Sequence, residues 1–275
     1  MRYELPGGGQ ASFTTRVEGN LSTLRGPDPE HGRERREHLC AGLDLDWLCA
    51  SRQVHGAAVQ RVMALAERGM LAASGMRAKR VSPESVDGEC LPTSVEGESL
   101  PASVETGARA VGACLPASVR GSGEAVALDA DGHATALHGV GAMVLVADCL
   151  PVALGAEGAV AALHAGWRGL AAGVLEEGVR ALRELGGDGE IAAVIGPGAR
   201  VCCYEVGEEV HAVFGGVHRA GRNLDLAAHA RERLRAAGVA SVEEVGVCTI
   251  CDERFFSYRR EGDAAGRQAG VAWLS

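Results

Sequence analysis

No stretch of the 275-residue chain approaches the 18 uncharged apolar residues that a membrane-spanning helix needs. The opening residues, MRYELPGGGQ, also lack the apolar centre of a secretory signal. These two absences set the expectation of a cytoplasmic protein with no membrane partner. A net charge of −9 leaves no broad basic surface, which argues against nucleic acid as a partner. It still permits a small anion held by a few arginines. Histidine is scarce for copper chemistry: there are nine, and none form a His-x-His pair, whereas a multicopper site needs a large imidazole set. The phosphate-cradling Walker loop, the dinucleotide fingerprint and the serine-hydrolase elbow G-x-S-x-G are all missing.

What is present is a chain 47% hydrophobic and 23% charged, enough to bury a sizeable core. Nine cysteines, at 40, 49, 90, 114, 149, 202, 203, 248 and 251, are irregularly spaced and odd in number, so they read as thiols, one or more of them bound to metal. Cys248 and Cys251 have C-x-x-C spacing but no second C-x-x-C pair to complete a four-thiolate site, and they read as structural. Three near copies of one hexapeptide, CLPTSV, SLPASV and CLPASV, lie among Gly, Glu, Ser and Thr, which marks residues 70–124 as a low-complexity, disordered insertion. On either side, short apolar runs alternate with helical spacing. A charged helix is expected over 29–42, a second from Ala171 to Leu185, and a third capped by Asp225. The expected fold is α/β with a mixed β-sheet, carrying the insertion.

Two neighbouring buried strands are expected at Met143–Ala147 and Ala159–Leu163, each ending on reactive side chains: Asp148 and Cys149 after the first, His164 after the second. His55, followed by Gly56, joins them as a candidate. Two imidazoles and a thiolate suit a three-ligand zinc site with an open fourth position. The same residues would also serve a Cys149 nucleophile activated by His164, and spacing alone does not choose between the two. Arg168, at the expected start of a helix beside His164, would suit phosphate.

The segments QVHG at 53–56, ADCLPV at 147–152, HAGWRGLAAGVLE at 164–176, IGPGARVCCYEVGEEV at 195–210, LDL at 224–226, FFSYRREG at 255–262 and GRQA at 266–269 closely resemble the bacterial laccase-domain, or polyphenol oxidoreductase, family of purine nucleoside phosphorylases. The resemblance implies a single three-layer α/β domain over 1–275 and phosphorolysis of adenosine, inosine, guanosine and methylthioadenosine, with adenosine deamination as a second reaction. It places His55, Cys149 and His164 on the family's catalytic metal-binding triad, with Zn2+ as the cofactor and copper as the alternative. Asp148, Arg168, Arg259 and Arg267 are then the candidates for substrate and phosphate contacts, Asp148 either moving protons or orienting its neighbours. The implied partners are a purine nucleoside and phosphate, in a monomer or small homo-oligomer. The competing readings are a copper-dependent phenol oxidase, a Cys149 hydrolase and a metal- or nucleotide-binding accessory protein. Three departures from the family pattern are a shortened loop at Val17–Asn20, Ala230-Arg231 where an Asn-Arg pair is common, and the insertion at 70–124 between His55 and Cys149.

Overall fold

The computed structural model describes residues 1–63 and 129–275, and the expected insertion at 70–124 lies outside the described residues. Strands β1 (Arg2–Glu4) and β2 (Gly9–Phe13) come first, then helix α1 (Gly32–Gly42) and strands β3 (Trp47–Cys49) and β4 (Val59–Val62). Past residue 128 follow β5 (Gly132–Thr135), β6 (Val140–Val146), β7 (Leu150–Glu157) and β8 (Ala159–Ala165). Helices α2 (Trp167–Ala172) and α3 (Val174–Glu184) lead to β9 (Asp188–Ile195), α4 (Glu208–Val213) and the two-residue strands β10 (Arg219–Ala220) and β11 (Asn223–Leu224). The chain finishes with α5 (Leu226–Ala236), β12 (Val239–Glu244), α6 (Tyr258–Glu261) and β13 (Gln268–Leu274).

The α/β class holds, and the mixed pairing is divided between two sheets, ordered β1-β2-β13-β6-β3 and β12-β9-β7-β8-β5-β4. β3 runs parallel to β6, β4 to β5, and β12 to β9, while the remaining neighbours in these two sheets are antiparallel. Phe13, Ala142, Val144, Ala153, Val160, Ala162, Val194 and Ala272 form one buried cluster drawn from both sheets, so the sheets pack face to face. Leu175 and Leu182 of α3 and Leu226, Ala230 and Leu234 of α5 join Leu154, Leu163 and Ile195 in a second cluster on the outer face of the six-stranded sheet. Sheet, sheet and helices are the three principal layers, and α1 covers the far side through Cys40. Fully burying each large aliphatic side chain stabilises the fold by about 2 kcal/mol relative to exposure.

Two sequence expectations are corrected here. The runs at 143–147 and 159–163 are not neighbours in one sheet: β6 and β8 belong to different sheets, and β8 pairs instead with β7. Pro151 hides β7 in the sequence, because proline removes a ladder donor and usually argues against an interior strand. The single helix expected from Ala171 to Leu185 is broken at Gly173, whose φ of 93° stops α2 and restarts the chain as α3. The Asp225 cap is present, its Oδ1 accepting from the Ala228 amide at 3.0 Å.

Burial also sets an acid limit on the fold. His133 of β5 is 1% exposed, bonded through Nε2 to Ser51 Oγ at 2.9 Å, and its pKa is pushed down to about 4 by desolvation. Between that value and 6.5 the unfolded chain takes up a proton that the folded chain refuses, so stability falls as pH drops. About 2 kcal/mol should be lost between pH 7 and 5 from this residue. Urea midpoints measured across that range should show the loss, and His133→Gln should flatten it; an equal slope in both proteins would remove His133 as the cause.

Candidate metal centre

The β7–β8 hairpin builds the centre. Leu150 pairs with Ala165 and Pro151 with His164, so Cys149, one residue before β7, and His164, near the end of β8, emerge at the same end of the hairpin. His55 comes from the loop between β3 and β4. The donor atoms of His55, Cys149 and His164 all lie within 4.8 Å of one another. The two imidazole rings meet edge to face, with centroids 4.8 Å apart. His164 is buried, Cys149 half-buried and His55 exposed, so the cluster has a floor in the core and one side toward solvent.

Asp131, immediately before β5, holds this arrangement and was not singled out from the sequence. Its carboxylate accepts amides from Val54 at 3.2 Å, His55 at 2.8 Å and Gly56 at 2.7 Å, and it bonds His164 Nδ1 at 2.9 Å. Burial raises its pKa, but the bonds from His164, Gly56 and His55 win and hold it below the usual carboxylate range. An ionised carboxylate only accepts, so Nδ1 of His164 carries the hydrogen and Nε2 is left as the donor facing the cluster. That is the carboxylate–histidine pairing that orients metal-ligating imidazoles. The three amides also hold His55 at φ 61°, a left-handed conformation that costs a non-glycine residue about 1 kcal/mol or more. A segment poor in hydrophobic periodicity gives no hint of this; the only signal was an aspartate preceding a short strand.

Cys149 and His164 perturb each other. Desolvation raises the Cys149 thiol, but the charge and hydrogen bond of His164, with His55, carry it well below its ordinary value. Desolvation lowers His164, which Cys149 and Asp131 more than reverse. Both shifts run the same way, toward a Cys149 sulfur that gives up its proton readily and a His164 ring that holds one. A divalent cation replaces that proton with all three donors in the form a metal needs, so the residues fit the zinc ligand set.

Asp148 is backed into the fold at φ 86°. One carboxylate oxygen accepts from Thr249 Oγ1 at 2.7 Å, the other from Ser257 Oγ at 3.0 Å and the Arg259 amide at 2.7 Å. Those bonds fasten the 249 and 257–259 segments beside Cys149, an orienting arrangement. Arg259 stacks over Tyr204 at 4.8 Å and donates to Glu205 O. Exposed Arg168 lies over the Trp167 ring at 4.2 Å, and Arg267 donates to the carbonyls of Ala265 and Gly266. A cavity of about 490 Å3 is lined by Cys203, Glu205, Val206, Gly207, Arg222, Ile250 and Arg259; it borders Arg259 but not the three metal donors.

Gly166 leaves the space that Cys149 fills. A Cβ at that position would lie 2.8 Å from Cys149 Sγ and 3.5 Å from His55 Cδ2, although its backbone, at φ −76°, would accept any residue. Gly166→Ala should therefore keep the fold and weaken metal binding about tenfold or more, as misplacing a ligand does. A chelator-competition titration checks this, and unchanged affinity would show that Cys149 is not held in place as a ligand.

A second cluster adds to the reading of Cys248 and Cys251. A second cysteine pair does exist, in the adjacent residues Cys202 and Cys203, and the four sulfurs lie within 4.8 Å of one another. The sequence did not bring this pair to Cys248 and Cys251, because it has no C-x-x-C spacing and lies 45 residues upstream of Cys248.

The chain is thus a two-sheet α/β fold with a His-Cys-His cluster at one hairpin end, and comparison with known proteins gives its family. The family model described as multi-copper polyphenol oxidoreductase laccase matches residues 103–275, and the chain belongs to that family. A purine nucleoside phosphorylase of Xylella fastidiosa is 43% identical over 161 residues, covering 53% of this chain and 61% of the relative. One from Pseudomonas aeruginosa is 41% identical over 162 residues, covering 54% and 66%. The matched part thus spans a little under two thirds of these curated relatives' length. A crystal structure of a Neisseria meningitidis protein superposes with a TM-score of 0.68 at 26% identity, covering 100% of this chain and 98% of that one. The YlmD protein of Geobacillus stearothermophilus shares the fold, with a TM-score of 0.68 at 24% identity and coverage of 97% and 92%. Among the described residues no helix is long and apolar enough to cross a membrane.

Proposed function

We propose that the chain is a zinc-dependent purine nucleoside phosphorylase, cleaving adenosine, inosine, guanosine and methylthioadenosine with phosphate to base and sugar 1-phosphate, and deaminating adenosine in a second reaction. The observation that carries this reading is the convergence of His55, Cys149 and His164 donors over a buried Asp131 that fixes the His164 tautomer. The relatives named purine nucleoside phosphorylase supply the substrate class. The family's multi-copper description sits less well with the donor set. Among the described residues, each of the metal-competent clusters holds at most two histidines, too few for a multinuclear copper centre.

His55, Cys149 and His164 would hold the metal, which supplies Lewis acidity, the property that hydrolytic deamination at purine C6 draws on. Phosphorolysis places other demands on the chain. The bond from ribosyl C1′ to the purine nitrogen breaks, positive charge develops at C1′, and a phosphate oxygen forms the new bond. Arg168 and Arg259, both exposed, are proposed to hold the phosphate, with Arg267 within electrostatic reach of Cys149. Asp148 fixes the Arg259 backbone through its amide. The rate gain comes from positioning and complementary charge.

The test is adenosine turnover by the purified chain with and without phosphate, resolving adenine, inosine and hypoxanthine. Adenine that appears only with phosphate is the expected result. Inosine alone, independent of phosphate, would reduce the activity to deamination, and no turnover by metal-loaded protein would overturn the enzyme reading.

A further inference from the structure

The four-cysteine cluster lies outside the site just described and has no part in the chemistry proposed for it. Two backbone turns present its sulfurs. In the first the Tyr204 amide reaches Arg200 O at 2.9 Å, displaying Cys202 and Cys203; in the second the Asp252 amide reaches Cys248 O at 3.0 Å, displaying Cys248 and Cys251. The turns are laced together, since Gly198 donates to Val247 O at 3.3 Å and Thr249 donates to Gly198 O at 3.1 Å. Cys251 Sγ lies 2.9 Å from Cys203 Sγ and 3.7 Å from Cys202 Sγ, and all four cysteines are thiols. Cys202 and Cys251 are exposed while Cys203 and Cys248 are half-buried, so a cation can enter from solvent.

We propose that Cys202, Cys203, Cys248 and Cys251 form a second metal site, a structural four-thiolate zinc site. Zn–S bonds of about 2.3 Å in a tetrahedron set sulfurs about 3.8 Å apart. The Cys202–Cys251 separation already matches, and the Cys203–Cys251 contact has to open by only about 1 Å. Four soft donors with no oxygen or nitrogen among them select zinc over the harder cations. Binding releases the thiol protons to solvent and leaves a dianionic centre with no change of oxidation state. Arg260 lies beside it, donating to the carbonyls of Thr249 and Ile250 inside the Cys248–Cys251 turn at 2.8 and 2.9 Å. Because Thr249 and Ala199 both bond to Asp148, the zinc staples the segments that hold Asp148, and through it the position next to Cys149.

The experiment is metal analysis and cobalt substitution on the full chain. Wild type should carry two zinc equivalents, and Cys202→Ser/Cys251→Ser should carry one. Cobalt-loaded wild type should show strong thiolate-to-cobalt charge-transfer absorption, most of which disappears in the double variant, where Cys149 alone remains as a metal-bound thiolate. Should the variant fail to fold, His164→Ala provides the second reading: it should keep one equivalent and the four-thiolate cobalt spectrum even if the His-Cys-His site never bound metal. The proposal is overturned if the double variant retains both equivalents, if His164→Ala lacks the four-thiolate spectrum, or if mass analysis of non-reduced, freshly purified protein finds Cys203 and Cys251 joined by a disulfide.

Discussion

His164→Ala should abolish the phosphate-dependent cleavage of adenosine, lowering kcat/KM by roughly a thousandfold or more, as removal of a member of an interdependent site does. His164 reaches both halves of the centre: its ring bonds Asp131 on one side and perturbs Cys149 on the other. Its backbone amide also donates to Asp131 O at 2.7 Å, and alanine preserves that bond. The variant should therefore fold and lose one zinc equivalent together with the activity. Steady-state kinetics alongside metal analysis give the answer, and a variant that retained most of its turnover would show that the chemistry lies elsewhere on the chain.

Asp131→Ala should produce the second large effect, on stability and on metal together. The substitution removes the acceptor for three consecutive amides and leaves the buried His164 side chain without its partner. Breaking a buried charged pair by removing one member typically costs about 3 to 5 kcal/mol. Loss of the residue that orients a metal-bound histidine typically costs about 10 to 100-fold in metal affinity. Chemical denaturation and competitive chelation measure the two losses separately. Asp131→Asn keeps an oxygen acceptor but turns an amide donor toward other donors, so it should recover only part of the stability. Full metal affinity in both variants would contradict the orienting role.

How much of this was legible follows from where each constraint resides. His55, Cys149 and His164 could be named because they stand at the edges of apolar runs or in short family-like segments, even though β7 went unread behind Pro151. Asp131 could not be, because its importance arises from three amides of residues more than 70 positions away in the chain. The four-cysteine cluster was half visible: Cys248 and Cys251 have the spacing of one turn, but only folding brings Cys202 and Cys203 to them. Arg168, Arg259 and Arg267 were readable as cations near the site, yet their present partners, an indole ring, a phenol ring and backbone carbonyls, depend on packing that local sequence does not encode.

The central claim is that phosphate itself becomes bonded to the sugar at this site. Phosphorus NMR of the wild-type protein with adenosine and inorganic phosphate tests it directly. The expected result is a new sugar-phosphate resonance growing in step with free adenine while inorganic phosphate declines equally. Adenine accumulating beside free ribose, with the phosphate signal unchanged, would make the reaction a hydrolysis and contradict the account.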